Sequence, residues 1–130
     1  MRMKVGITVV GLGVLGLGTH VVAHHAFSSE YAEDKVVTLK GTVTKVEWTN
    51  PHARFFIDVV NPDQTVTNWS FELASPNSLT RSGWGRRTLN VGDSITATGF
   101  AAKSGKSMAS TRSVIMADGK ALFSGTQGIQ

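Results

Sequence analysis

The residues in this chain best suited to chemistry are three histidines: His24 and His25 in "VVAHHAFSSEY", and His52 in "WTNPHARF". If His24 opens a mature chain, its free amine and its ring Nδ1 can hold one metal ion together, closing a six-membered chelate. His25 adds a ring nitrogen, or its backbone amide once that loses its proton. His52, brought close by the fold, completes a T-shaped set of nitrogens. Nitrogen ligands in a tetragonal array favour copper(II), which tops the divalent affinity order, and imidazole also suits zinc. Amine and imidazoles bind only when neutral, so affinity falls as the pH drops below about 6. Glu30, Glu33 and Asp34 stand near in sequence as further oxygen ligands or as hydrogen-bond partners of the ligands. The plainer reading makes "HHAF" a stub left by processing, His52 a turn residue after Asn50-Pro51, and the three acids a solvated strip.

The metal reading depends on where the mature chain begins. Arg2 and Lys4 precede the uncharged run "VGITVVGLGVLGLGTHVV", and small or branched residues Val21-Val22-Ala23 end it. A positive start, an apolar core and an A-x-A-like end describe a secretory signal peptide, cut after Ala23. The alternative is an uncleaved inner-membrane anchor, since about 18 residues is near a spanning length. Glycines within the run and His20 near its end weaken that alternative. Cleavage gives a periplasmic or secreted protein. Of the 13 basic residues, 11 remain after Arg2 and Lys4 are lost, against 9 acidic ones. So small a balance implies no nucleic-acid partner. The chain has no cysteine, so an exported form is stabilised by its core, a metal or a partner rather than by disulfides.

The elements that must position the histidines read as follows. "EYAEDK" is a polar lead-in, and "VVTLKGTVTKVEWT" is one long strand. Val37, Leu39, Gly41 and Val43 share one parity and Val46 and Trp48 the other, which predicts a bend, placed at Gly41. "ARFFIDVV" alternates, with Ala53, Phe55, Ile57 and Val59 inward and Arg54, Phe56 and Asp58 outward. After a turn at "NPDQ", Thr67, Trp69, Phe71 and Leu73 face one way and Asn68, Ser70 and Glu72 the other. Ser75 and Pro76 open a short helix that Gly83 can end. Strands through Ile95 to Gly99 and through "SMASTRSVIM" follow, joined by a hairpin at "KSGK", then "ADGK" turns into a last strand "ALF". The pattern predicts a mainly β chain: a leader helix over 1–23, a lead-in over 24–35, a small five-stranded OB-like barrel over 36–123 with one short helix between its third and fourth strands, and a frayed tail over 124–130. An open β-sandwich is the other layout. In the barrel His52 lies in the loop between strands one and two, at the mouth.

A second candidate surface is "RSGWGRR", where Arg81, Arg86 and Arg87 flank Trp84. It suits a protein, glycan or lipid partner in the cell envelope; the ordinary reading is a solvated helix end with Trp84 plugging the barrel. "GKS" at Gly105 to Ser107 lacks the spacing and following helix of a phosphate loop. No histidine has a serine or acid partner that argues for nucleophilic catalysis.

Together "AHHAFSSEYAEDKVVTLKGTVTKVEWTNPHARFFIDV", "NWSFELASPNSLTRSGW", "LNVGDSITATGF" and "TRSVIMADGK" resemble the small exported bacterial proteins of domain-of-unknown-function family 6152. Members typically read "AHHSF" and "NPHAW"; here Ala26 and Arg54 depart from those motifs. There is a fainter likeness to exported bacterial OB-fold proteins. The family resemblance implies an exported single domain with no established activity, and it matches His24, His25 and His52 to the family's motifs. The sequence thus points to an exported, non-enzymatic binding protein that takes copper(II) or zinc through His24, His25 and His52. The alternative is an envelope adaptor that works through Arg81, Trp84, Arg86 and Arg87, with membrane contact only through an uncleaved leader.

Overall fold

The computed structural model describes residues 27–123. In chain order its elements are β1 (Tyr31–Glu47), β2 (Arg54–Val60), β3 (Val66–Glu72), α1 (Pro76–Arg81), β4 (Ser94–Ala102), β5 (Met108–Met116) and β6 (Ala121–Phe123). The leader, His24, His25 and the tail expected over 124–130 lie outside the described residues. Among those described, no helix is long and apolar enough to cross a membrane.

Among the described residues the fold is mainly β, with a ring of five strands and a short helix between β3 and β4. β1 makes the ring possible, because its 17 residues serve two neighbours in succession. Its first part runs antiparallel to β4, with Val37 opposite Gly99 and Thr42 opposite Ser94. Its last part runs antiparallel to β2, from Thr42 opposite Asp58 to Glu47 opposite Arg54. β2 pairs with β3, and β4 with β5, also antiparallel. A parallel pairing of Ser70, Phe71 and Glu72 with Met108, Ala109 and Ser110 then closes the circuit from β3 to β5. β6 sits outside the ring on β5.

Inward parity follows the alternation in the sequence. Ala53, Phe55, Ile57 and Val59 are buried, as are Phe71, Leu73, Ile95, Ala97 and Val114. Phe55 and Phe71 stack with ring centroids 5.2 Å apart. Ser75 caps α1 by accepting from the Ser78 N–H, Pro76 takes the first turn, and Leu79 inserts into the core. Gly83 follows at φ +90°, a left-handed conformation that a side chain would resist.

Two boundaries differ from the sequence reading. The bend in β1 is not at Gly41; the register slips between Val43 and Lys45. Val43 and Val46 both pack on the core, and two inward residues three apart need one extra residue between them, which makes Thr44 the bulge. Gly41 answers a different need, since a Cβ there would stand 2.5 Å from the Asp58 carbonyl oxygen. The strand also begins at Tyr31, inside the stretch expected to be a polar lead-in. Tyr31 pairs with Ala102, and with Phe27 and Ala102 it forms a second apolar cluster against Phe100 and Met108. Residues 27–30 form a helical turn leading into it.

The glycine contacts make a stability prediction. Gly41→Ala should lower the unfolding free energy by about 1–3 kcal/mol, as overpacking does. Gly85→Ala, where an added Cβ meets nothing within 4 Å, should change it by less than about 0.5 kcal/mol. Denaturant melts of the two variants beside the parent chain check both values.

Candidate functional site

His52 is placed by the backbone on either side of it. The Asn50–Pro51 peptide before it is cis. After it, Ala53 N–H donates to the Ala74 carbonyl and Leu73 N–H to the Ala53 carbonyl. These bonds extend the β2–β3 ladder beyond its strands and seat His52 beside the end of β3. Glu72 is the last residue of β3 and Arg54 the first of β2; they stand directly opposite in the register. Both have the outward parity, so their side chains meet on the outer surface of the ring.

There Glu72 meets three side chains. Its Oε1 lies 2.7 Å from His52 Nδ1. Its Oε2 takes Arg54 Nη2 at 2.7 Å and the Tyr31 hydroxyl at 2.9 Å. The Glu72 side chain is only 11% exposed, and a carboxylate so far removed from water needs such partners. Tyr31 reaches it from the start of β1 and is itself 2% exposed. Its phenol pKa is pushed up from the ordinary value, by burial first and then by the charge of Glu72 and the hydrogen bond to it.

A carboxylate on Nδ1 fixes the tautomer and direction of an imidazole, and so makes Nε2 its ligating or basic atom. Of the three histidines expected to act together, the structure describes His52 alone. Among the described residues no group of three or more His, Asp or Glu is arranged to hold a metal ion. The carboxylate that the structure pairs with His52 is Glu72, whereas the sequence reading looked to Glu30, Glu33 and Asp34, whose residues are exposed. Glu72 and Tyr31 escaped that reading. Outward parity was the one available signal for Glu72; nothing local marks Tyr31. Arg54, which departs from the family-like motif, supplies a cation to Glu72.

The second candidate surface divides in two. Arg81, Arg86 and Arg87 are exposed, and Arg81 Nη2 donates to Ser78 Oγ. Trp84 is 5% exposed and belongs to the main core. The arginines therefore border a turn whose Trp faces inward.

Tyr31 is the single tyrosine of the chain, which makes its ionisation readable without assignment. A free phenol is half ionised near pH 10. The folded protein should show no phenolate absorbance there, and the denatured protein should. Because the folded pKa is raised, this contribution to stability is complete below about pH 10 and is lost as the pH climbs through the folded value. Tyr31→Phe should cost about 1.5–3 kcal/mol, the range for a hydrogen bond to a charged group, measured by thermal unfolding at neutral pH.

Compared with known families, residues 12–111 match a family of unknown function (DUF6152), a span that takes in His24, His25, Tyr31, His52, Arg54 and Glu72. No curated protein matches the chain.

Proposed function

We propose that this chain, which belongs to the DUF6152 family, is an exported metal-binding protein whose ring of strands is an OB-like barrel. In this reading residues 1–23 are a signal peptide, and the mature protein starts at His24 in the periplasm or outside the cell. It takes copper(II), or else zinc, through His24, His25 and His52. The barrel assignment draws on the strand circuit β1-β2-β3-β5-β4, closed by the parallel pairing, with α1 between β3 and β4.

One observation carries the metal reading: the 2.7 Å contact between Glu72 and His52 Nδ1. Metal-binding histidines almost always have a carboxylate or carbonyl on the second ring nitrogen, which orients the ring and raises its basicity. Chain connectivity adds to it. Phe27 packs on Tyr31 with centroids 5.6 Å apart, Tyr31 bonds Glu72, and Glu72 Oε1 lies against His52 Nδ1. His24 precedes Phe27 by three residues, a tether of at most about 11 Å at 3.8 Å per step. The adaptor alternative has less in its favour, because Trp84, its aromatic anchor, is packed in the core.

Intact mass of the exported protein and a copper(II) titration of the same sample test this function. The expected mass begins at His24, and binding should be tighter than to a free His-His peptide and weaken below about pH 6. His52→Ala should lower the affinity at least about tenfold. A different first residue, or full affinity in His52→Ala, overturns the three-histidine site.

A further inference from the structure

We infer that Tyr31 is a positioning residue for His52, acting through Glu72, so that the segment leading into β1 sets the direction in which His52 presents Nε2. The inference rests on the metal-binding reading for its consequence and on described side chains for its geometry.

The terminal torsion of a glutamate is broad and roughly two-fold. A carboxylate held at one oxygen can therefore rotate, and it carries with it whatever its other oxygen holds. Here Oε1 lies 2.7 Å from His52 Nδ1, and Oε2 accepts from Arg54 and Tyr31. The two partners of Oε2 are unequal. The Arg54 side chain is 32% exposed and ends a long, flexible stem. Tyr31 is 2% exposed, pairs with Ala102 and packs against Phe27, so its hydroxyl is the fixed point. The segment before it is tied down separately. Lys103 N–H donates to the Glu30 carbonyl at 2.9 Å, and Lys103 Nζ donates to the Ser28 carbonyl. One carboxylate thus registers the β1–β2 loop against the stretch of chain that follows His24 and His25. Loss of the Tyr31 hydroxyl leaves Arg54 alone on Oε2 and frees the carboxylate, and His52 with it, to turn.

The test uses the full mature chain and has a metal-free arm and a copper arm. In the metal-free arm, NMR follows exchange of the His52 Nδ1–H proton. It should exchange slowly in the parent chain and at least about tenfold faster in Tyr31→Phe. In the copper arm, Tyr31→Phe should bind copper(II) about tenfold more weakly, in the range for loss of an outer partner. Its electron paramagnetic resonance spectrum should change from one species to a mixture, in samples that circular dichroism shows to be as fully folded as the parent chain. Unchanged Nδ1–H exchange in folded Tyr31→Phe overturns the inference, whatever copper does. Parent-chain copper binding that is indifferent to His52→Ala overturns the proposed function instead, and the proton-exchange arm still decides the role of Tyr31. If Tyr31→Phe does not fold, meta-fluorotyrosine incorporated at this single tyrosine keeps the shape and strengthens the donor. The His52 Nδ1–H resonance should then shift, and a resonance that stays in place overturns the inference.

Discussion

Three residues of parallel pairing, Ser70 to Glu72 against Met108 to Ser110, turn an open sheet into a ring. Much of the rest follows from that closure. It covers part of two strand edges, Ser70 to Glu72 and Met108 to Ser110, that would otherwise be open to pairing with other chains. It allows one set of inward side chains, stacked around Phe55 and Phe71, to serve every strand. It also fixes the end of β3 between β2 and β5, which is why Glu72 arrives on the outer surface within reach of both the β1–β2 loop and the segment before β1.

The cluster on that surface is a case of one buried acid organising its surroundings. A partly buried carboxylate is costly unless its lone pairs are taken, and here an imidazole, a guanidinium and a phenol take them. Tyr31 comes from the start of β1, and His52 and Arg54 from the chain entering β2. The same interaction that satisfies Glu72 therefore also specifies how those pieces lie together. The arginine-rich turn after α1 offers a contrast: its cations are exposed, and surface charges of that kind fix little.

The regular parts of the fold were legible in the sequence because their signals are local. The alternation from Ala53 to Val59, the Ser75-Pro76 cap and the glycine turns each depend on residues a few positions apart, and the structure places them as read. His52 was legible as a candidate for its chemistry alone. The carboxylate behind it was not, because Glu72 stands opposite Arg54 through a register set by the β2–β3 turn, and its bond to Tyr31 spans 41 residues. Parity says that Glu72 points outward but not what waits there. The start of β1 was missed for a similar reason. "EYAEDK" is polar in composition, and only contact with Phe100, Ala102 and Met108 makes its Tyr31 a core residue.

The double service of β1 has a mechanical side. Most strands can fray from an end and lose one neighbour at a time. β1 is laced to β4 along its first part and to β2 along its last, with Thr42 bridging to both. To peel it away is to open the ring on two sides at once, so the strand belongs to the most cooperative unit of the molecule, the part that opens only with the whole. Tyr31 is the first residue of that strand. The stretch of chain just before it is therefore anchored at one end to the least yielding element of the fold.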